Sequence, residues 1–245
     1  MNFTEDPSKF FHNKNLLLPN WEQSCFKELS QTGIYTSVLS AGTWRMFGGL
    51  VNSNNAEKIF ESLIYSGVNH FDCGNNYGRP PGSSEKQLGS LLKKYNHLRP
   101  ELIITTKAGY EMRPGPNGSG GSAKHLREEL ESSLKRLNLD FVDIFYTHRF
   151  DPTIDLRVHA DGLLYLYNLG YFLYLGISSY PKNILKDFIK LIQERNIPIA
   201  CLQYNISLIN LDWINLCKEI YDQYGIKTCT FAGLAQGIIS ENFLN

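Results

Sequence analysis

The sequence of 245 residues carries 24 basic and 24 acidic side chains, and 42% of its residues are hydrophobic. A chain of this length and composition can bury a large core and is typical of one globular domain, and its balanced charge favours neither nucleic acid nor a membrane surface as a partner. The apolar runs are too short to span a bilayer.

The first part of the chain predicts little structure. Residues 1–24 contain acids early and only "LLL" as an apolar run, which is unlike a signal peptide, so we expect a loose tail. One domain is then expected over residues 25–245. The five cysteines are odd in number, form no C-x-x-C pair and lie mostly in apolar runs. This pattern favours reduced thiols and a cytoplasmic setting.

The elements of the domain alternate regularly. Residues 26–37 alternate around a Thr-Gly turn and predict a leading β-hairpin. Short β-branched and aromatic runs predict strands at about 38–43, 68–73, 102–107, 142–148, 173–178, 199–204 and 226–231. Amphipathic stretches predict helices at about 54–67, 83–95, 122–138, 156–169, 181–196 and 211–225.

This order of elements predicts an α/β fold, a (β/α)8 barrel with a leading hairpin. A doubly wound sheet is less favoured because no G-x-G-x-x-G follows the first predicted strand and no P-loop is present. The glycine-rich residues 114–125 are expected to form a mobile loop at the barrel mouth. Residues 232–245 are too few for another βα unit, so we expect a barrel that lacks its eighth unit, with unpaired edges at its first and seventh strands.

Polar side chains follow three neighbouring predicted strands, where the mouth of a barrel lies. They are Asp72 with the nearby Tyr77, then Lys107, then His148. The Lys107 ammonium is expected to lower the pKa of Tyr77, and Asp72 to keep Lys107 charged. His148 would orient a substrate or assist proton transfer. Such a set can protonate an oxygen on which negative charge develops, as in the reduction of a carbonyl group by hydride.

Other roles for these side chains remain open at this point. Asp72 can cap a turn, Lys107 can extend its amine to solvent, and His148 can be a hydrogen-bonded core histidine. The segment "HFD" also places His70 and Asp72 on one strand face, as in metal-dependent barrel hydrolases. Because no second histidine pair follows, we expect no metal and interpret His70 as filling the barrel.

The segments "HFDCGNNYG", "TKAG", "FYTHR" and "GISSY" resemble, in order and spacing, the signatures of the aldo-keto reductases over about residues 25–245. "GTWRMFGG" is similar to the potassium-channel β-subunit branch, and "NNYGRPPGSSE" with "TKAGYEMRPGPNGSGGS" to the bacterial L-glyceraldehyde-3-phosphate reductase branch. The resemblance implies a barrel that binds NADP(H) and reduces small aldehydes or ketones. It implies the catalytic tetrad Asp72, Tyr77, Lys107 and His148, with Tyr77 as general acid. The cofactor-binding positions that it implies are Thr43, Trp44, Asp72, Ser178, Ser179, Gln203, Phe231, Leu234, Gln236 and Gly237.

The sequence also departs from the family. After "FAGLAQG" the family continues through an eighth strand and the residues that bind the adenosine 2′-phosphate, and Ala232 and Gly233 stand where relatives carry Ser/Thr and Pro. Two functions therefore stay open. One is an NADP(H)-dependent reductase of small aldehydes such as glyceraldehyde 3-phosphate or methylglyoxal-like compounds. The other is a truncated, catalytically impaired remnant or interaction module on the same scaffold. The sequence does not decide whether the chain forms a homo-oligomer.

Overall fold

A computed structural model of the protein describes residue 21, residues 25–49 and residues 51–240. The predicted tail at residues 1–24 therefore lies outside the described residues, except for Trp21. None of the helices in these ranges is long and apolar enough to cross a membrane.

The described chain opens with the predicted hairpin. Strands β1 (Phe26–Glu28) and β2 (Tyr35–Ser37) pair antiparallel, and Gly33 adopts a φ of 76° in the turn between them. This conformation favours glycine because a side chain there would be strained. Two hydrogen bonds join the hairpin to Lys227. The Lys227 N–H donates to Ser30 Oγ at 3.0 Å, and the Lys227 amine donates to the Glu28 carbonyl at 2.6 Å. The hairpin thus closes the amino-terminal end of the sheet.

Seven parallel strands then form one sheet in chain order. They are β3 (Ala41–Gly42), β4 (His70–Asp72), β5 (Ile103–Ala108), β6 (Val142–Thr147), β7 (Phe172–Ser178), β8 (Ile199–Asn205) and β9 (Lys227–Phe231). The predicted strands and their order are confirmed, and no eighth parallel strand occurs within the described ranges.

The first strand is shorter than the predicted range 38–43. The Val38 N–H donates to the Cys25 carbonyl at 3.0 Å, so this residue continues the end of the hairpin instead of the sheet. The side chains of Val38 and Leu39 are 60% and 75% exposed. Their apolar character, which extended the predicted strand, therefore does not reflect burial in the sheet.

In the described ranges six α-helices connect the strands of this sheet. They are α1 (Ser53–Tyr65), α2 (Ser83–Lys94), α3 (Ala123–Leu137), α4 (Leu156–Asn168), α5 (Lys182–Glu194) and α6 (Ile214–Tyr224). Side-chain caps fix two of the helix starts. The Asn55 N–H donates to Asn52 Oδ1 at the start of α1, and the His125 N–H donates to Ser122 Oγ at the start of α3. Helix α6 begins later than predicted because Ser207 and Asn210 exchange two backbone hydrogen bonds and the Ile214 N–H closes a further turn on Leu211.

The hydrophobic core of the described residues has two parts, one on each side of the sheet. The larger part lies between helices and sheet, where Phe60 of α1 stacks on Phe71 of β4 with 5.1 Å between ring centroids. The smaller part lies inside the sheet and includes Leu29, Ile144, Tyr146 and Cys201. Gly176 of β7 makes room for one of these rings, since a Cβ on it would lie 2.3 Å from the Tyr146 ring.

Strands β3 and β9 are the two ends of the strand order in the described sheet. Between the hairpin side and the β9–α6 side lies a cavity of about 930 Å³, which we call the edge cleft; it is lined among others by Val38, His70, Cys217, Cys229 and Leu234. The described part of the chain therefore forms a curved sheet with a gap, as expected for a barrel without its eighth unit.

Candidate active site

The carboxyl ends of three neighbouring strands bring the predicted polar residues together. Asp72 is the last residue of β4, Lys107 lies near the end of β5, and His148 directly follows β6. The loop after β4 carries Tyr77, and the Tyr77 N–H donates to the Gly74 carbonyl at 3.0 Å. The tetrad thus forms at one end of the sheet, as predicted from the order of the strands.

A buried ion pair lies at the base of the site. Lys107 is fully buried, and its Nζ donates to Asp72 Oδ1 at 2.7 Å and to the Cys73 carbonyl at 2.6 Å. The Asp72 carboxylate accepts two further hydrogen bonds, from Thr105 Oγ1 at 2.8 Å and from Gln203 Nε2 at 3.2 Å. The Asp72 carboxylate bonds these side chains and does not cap a turn, and the Lys107 amine is not directed to solvent. Both alternative roles are therefore wrong.

Each charge of this pair supports the other. Burial raises the pKa of Asp72, but the Lys107 charge and the hydrogen bonds outweigh burial, so the carboxyl pKa is lowered overall. Burial likewise opposes charge on Lys107, but Asp72 and Tyr77 outweigh it, so the pKa of Lys107 is raised overall. At neutral pH the site therefore contains one carboxylate and one ammonium.

The phenol of Tyr77 lies over this pair. The distance from Lys107 Nζ to the centroid of the Tyr77 ring is 4.8 Å. Burial raises the pKa of Tyr77, and although the Lys107 charge acts to lower it, the pKa is raised overall. The expectation that the pKa of Tyr77 is lowered is therefore wrong in its net direction. The Lys107 charge acts as expected, but the loss of water around the phenol has the larger effect. The phenol is protonated at neutral pH.

His148 completes the group on the other side of Tyr77. The two ring centroids are 5.9 Å apart in an edge-on arrangement, and Tyr110 contacts the imidazole from 4.6 Å. Burial, with a contribution from the Lys107 charge, lowers the pKa of His148 to about 3. Its buried Nδ1 has no hydrogen-bond partner among the described residues. His148 is thus a neutral imidazole with an unused polar atom, unlike a hydrogen-bonded core histidine.

His70, the other strand histidine, is buried below the site. Its Nδ1 lies 3.1 Å from Thr36 Oγ1 of the hairpin, and burial lowers its pKa to about 4. The described residues contain no group of three or more side chains arranged to hold a metal ion. His70 fills the space between hairpin and sheet, in agreement with its interpretation as barrel filling.

The predicted cofactor positions nearest the tetrad fall into two kinds. The Thr43 hydroxyl is fully buried and lies 3.2 Å from the Asp72 carbonyl and 3.0 Å from Cys73 Sγ, so it ties β3 to β4. Ser178 and Ser179, at the end of β7, have hydroxyls 3.3 Å apart. No other side-chain hydrogen bond engages these two hydroxyls in the described part of the chain. They can therefore bind an amide group placed beside Asp72.

The remaining cofactor positions are more open. Trp44 is 59% exposed and its ring centroid lies 6.4 Å from that of Tyr77, while Phe231 and Leu234 are 40% and 62% exposed. A short 3₁₀ turn, Ala235–Gly237, follows them, with φ values of 57° at Gln236 and 101° at Gly237. Exposed aromatic and apolar side chains of this kind can contact the planar rings of a nucleotide. No ring contact or hydrogen bond joins residues 231–237 to the tetrad in the described structure.

Several supporting residues were missed by sequence reasoning. Thr105 and Tyr146 lie on the same sheet face as Lys107 and contact the ion pair: Thr105 bonds Asp72, and the Tyr146 ring centroid is 5.2 Å from Lys107 Nζ. Outside the sheet, buried Glu85 accepts from Arg136 Nε at 2.7 Å. The period-two alternation of β5 predicts that Thr105 faces the same side as Lys107, whereas the Glu85 pair involves two helices far apart in sequence.

A second opening lies beside Tyr77. This mouth cavity has a volume of about 620 Å³ and is lined by residues of two loops, Trp44, Arg45, Phe47, Gly48, Val51, Asn76, Gly78, Arg79 and Pro81. The Arg45 guanidinium lies 5.0 Å from the centroid of the Trp44 ring. Neither Arg45 nor Arg79 forms an ion pair within the described ranges, so the cavity carries two uncompensated positive charges.

Comparisons with known proteins agree with this geometry. The model of the aldo/keto reductase family matches residues 38–245. L-Glyceraldehyde 3-phosphate reductases from Escherichia coli K12 and from Escherichia coli O157:H7 are each 38% identical over 226 residues, covering 91% of this chain and 65% of theirs. The chain therefore spans about 65% of the length of these relatives.

Solved structures support the same fold. An aldo-keto reductase from Bacillus halodurans in its holo form superposes with a TM-score of 0.76 at 23% identity, over 89% of this chain and 69% of that one. A thermostable aldo-keto reductase in complex with the inhibitor epalrestat gives a TM-score of 0.76 at 24% identity, over 89% of this chain and 76% of that one. At these identities the similarity establishes the fold.

Proposed function

Because the chain belongs to the aldo/keto reductase family, we propose that it is an NADP(H)-dependent oxidoreductase that reduces the carbonyl group of small aldehydes to an alcohol. The observation that carries this proposal is the fully buried Lys107, paired with Asp72 at 2.7 Å and lying 4.8 Å from the Tyr77 ring. The curated relatives, which are named L-glyceraldehyde 3-phosphate reductases, support the reaction class.

The chain's own residues supply the proton of this reaction. Tyr77, whose pKa is raised by burial, holds its proton until negative charge develops on a substrate oxygen. When the proton leaves, the nearby Lys107 ammonium stabilises the phenolate, and Asp72 keeps Lys107 charged without solvent. A bound NADPH would supply the hydride that reduces the carbonyl carbon.

His148 would orient the carbonyl group. With its pKa lowered to about 3, the imidazole is neutral at working pH and carries one N–H donor and one acceptor nitrogen. Its position beside the Tyr77 ring supports a contact between His148 and the same substrate oxygen. A neutral donor fixes the oxygen without delivering a second positive charge to the site.

The cofactor-binding role of ten residues is part of the same proposal. Ser178, Ser179, Gln203 and Asp72 would hold the nicotinamide carboxamide, with Thr43 and Trp44 beside it. Phe231 would stack on the ring, and Leu234, Gln236 and Gly237 would contact the pyrophosphate. Two observations support this assignment: the Ser178 and Ser179 hydroxyls have no side-chain partner in the described structure besides each other, and Phe231 is partly exposed.

The mouth cavity supports the proposal that a phosphorylated aldehyde such as glyceraldehyde 3-phosphate is the preferred substrate. Arg45 and Arg79 line it without an anionic partner in the described structure, beside the loop that carries Tyr77. Guanidinium groups bind phosphate by charge-assisted, bidentate hydrogen bonds. An unphosphorylated, methylglyoxal-like aldehyde would lack this anchor and is expected to bind more weakly.

The proposal is tested with the purified full chain. NADPH binding is measured by fluorescence titration, and NADPH consumption is followed with glyceraldehyde 3-phosphate as substrate. We expect saturable NADPH binding by the wild type and by Tyr77→Phe, with turnover strongly reduced in Tyr77→Phe. Tyr65→Phe, on the exposed face of α1, should leave both binding and turnover unchanged. A folded chain that shows no NADPH binding would refute the proposal.

The open sheet edges favour one second candidate, an interaction module on the reductase scaffold. In the described sheet β3 and β9 pair on one side only, and unpaired strand edges can add a strand from another chain. A cooperative thermal transition of a monomer that NADPH shifts upward would argue against this candidate. Soluble aggregates without a cooperative transition would support it.

A further inference from the structure

A cluster of two thiols and a phenol lies inside the sheet, below the tetrad. The Tyr146 hydroxyl is 2.9 Å from Cys201 Sγ, and both residues are fully buried. Cys229 packs against the same cluster but is partly exposed, and it lines the edge cleft. One thiol of the cluster is therefore sealed in the core, while the other can be reached from solvent.

The pairing of two neighbouring strands brings the thiols together. In the parallel register of β8 and β9, Cys201 is opposite Lys227 and Gln203 is opposite Cys229. The two cysteines are thus offset by two positions across adjacent strands, and side chains two positions apart point to the same face. Strand β9 is an end of the described sheet and is paired on one side only, so no further strand of that sheet opposes the backbone movement that a disulfide requires.

The surroundings of the two thiols differ in a way that separates their chemistry. A hydrogen bond from Cys201, with a further one from Tyr146, lowers the pKa of Cys229 despite its burial. The pKa of Cys201 is raised, mainly by the same hydrogen bond and by burial. Cys217 lines the same cleft, yet burial raises its pKa. Of the two thiols in the cluster, Cys229 is the one that lines the edge cleft, so an oxidant from solvent reaches it before Cys201.

We propose that Cys229 is a site of oxidation by peroxides and that Cys201 is the resolving thiol, so that oxidation joins β8 and β9 by a disulfide. In the first step the Cys229 thiolate attacks one oxygen of hydrogen peroxide. The O–O bond breaks, a sulfenic acid forms, and the other oxygen takes up the proton that the thiol had released and leaves as water. In the second step Cys201 sulfur attacks Cys229 sulfur; the S–O bond breaks, and the hydroxyl leaves with the Cys201 proton as water. Two electrons pass from the thiols to the peroxide.

This proposal does not depend on the proposed reductase function, because neither step uses the tetrad, NADPH or an aldehyde. Its test uses hydrogen peroxide and the full chain carrying Cys25→Ser, which removes the exposed thiol that would otherwise form bonds between molecules. We expect the intact mass to fall by about 2 Da, the mass of two hydrogen atoms. Peptide mapping without reductant is expected to recover the segments of Cys201 and Cys229 as one linked species.

Two further variants in the same background assign the roles. With Cys201→Ser we expect the sulfenic acid to persist on Cys229 and to be trapped there by dimedone. The matched control Cys217→Ser, a thiol of the same cleft, should leave disulfide formation unchanged. Linkage through Cys217, or a Cys229 that stays reduced while the chain is folded, would overturn the proposal. Mapping of the chain with both thiols intact decides the matter even if a variant does not fold.

Discussion

Replacing Lys107 by methionine tests whether the tetrad rests on a buried ion pair. The side chain of Lys107 is fully buried, and that of Asp72 is 11% exposed. Lys107→Met keeps most of the apolar volume but leaves the carboxylate with only the hydrogen bonds of Thr105 and Gln203. Removing one partner of a buried pair typically costs about 3–5 kcal/mol. We expect a loss at the lower end of this range because those two donors remain.

In Lys107→Met, the contribution of Asp72 to the pH dependence of stability should change sign. In the wild type the pKa of Asp72 is lowered on folding, so the pair stabilises the protein above the unfolded carboxyl pKa, and this stability is lost as the pH falls through the folded pKa. Without Lys107, burial raises the Asp72 pKa above its unfolded value. The penalty is then present at neutral pH and is relieved as the pH falls.

The assay is urea unfolding at pH 7 and near pH 5, followed by circular dichroism. A double variant, Lys107→Met with Asp72→Asn, removes both charges and is expected to recover all but about 1 kcal/mol of the loss, since a neutral polar pair is less costly to bury than a lone charge. A single variant that loses less than about 1 kcal/mol, or a double variant that is no more stable than the single one, would refute this reasoning.

Three further predictions address catalysis, packing and substrate choice. Tyr77→Phe removes the proposed proton donor and should lower turnover by about 10²–10⁴-fold, while the NADPH affinity measured by fluorescence stays unchanged. In the wild type, kcat should fall as the pH rises through the raised pKa of Tyr77, because only the neutral phenol donates; a flat alkaline profile would contradict this role. Gly176→Ala places a Cβ 2.3 Å from the Tyr146 ring and should cost about 1–3 kcal/mol in thermal unfolding, whereas Gly42→Ala, with nothing within 4 Å, should not. Arg79→Gln should raise KM for glyceraldehyde 3-phosphate by about tenfold but leave KM for methylglyoxal unchanged; an equal rise for both would exclude phosphate recognition.

Much of the fold was predictable because its signals are local. The strands β4 to β9 are short β-branched runs between amphipathic helices, and their order in the sheet follows the chain. That order alone places Asp72, Lys107 and His148 at one end of the sheet. The length of β3 was not predictable, because Val38 and Leu39 are apolar yet exposed, and the hydrogen bond from Val38 to Cys25 depends on the hairpin.

The pKa shifts in the site were harder to predict than the identity of the residues that form it. The net direction of the Tyr77 pKa depends on how much water the folded loop excludes, a quantity that the residue types do not contain. The same applies to the contact of Cys201 with Tyr146, which needs both the strand register and the space that Gly176 leaves. Pairings between distant segments require the fold itself.

The balance of charge explains how a protonated phenol can still act as an acid in such a site. At rest the Lys107 charge is opposed by the paired Asp72 carboxylate, which acts to raise the pKa of Tyr77. Burial then dominates, and Tyr77 keeps its proton. The Lys107 ammonium lies 4.8 Å from the centroid of the Tyr77 ring, and its attraction for a developing phenolate is strong because little water screens it. The tetrad would thus hold the proton firmly before reduction and release it only in response to the charge that reduction creates.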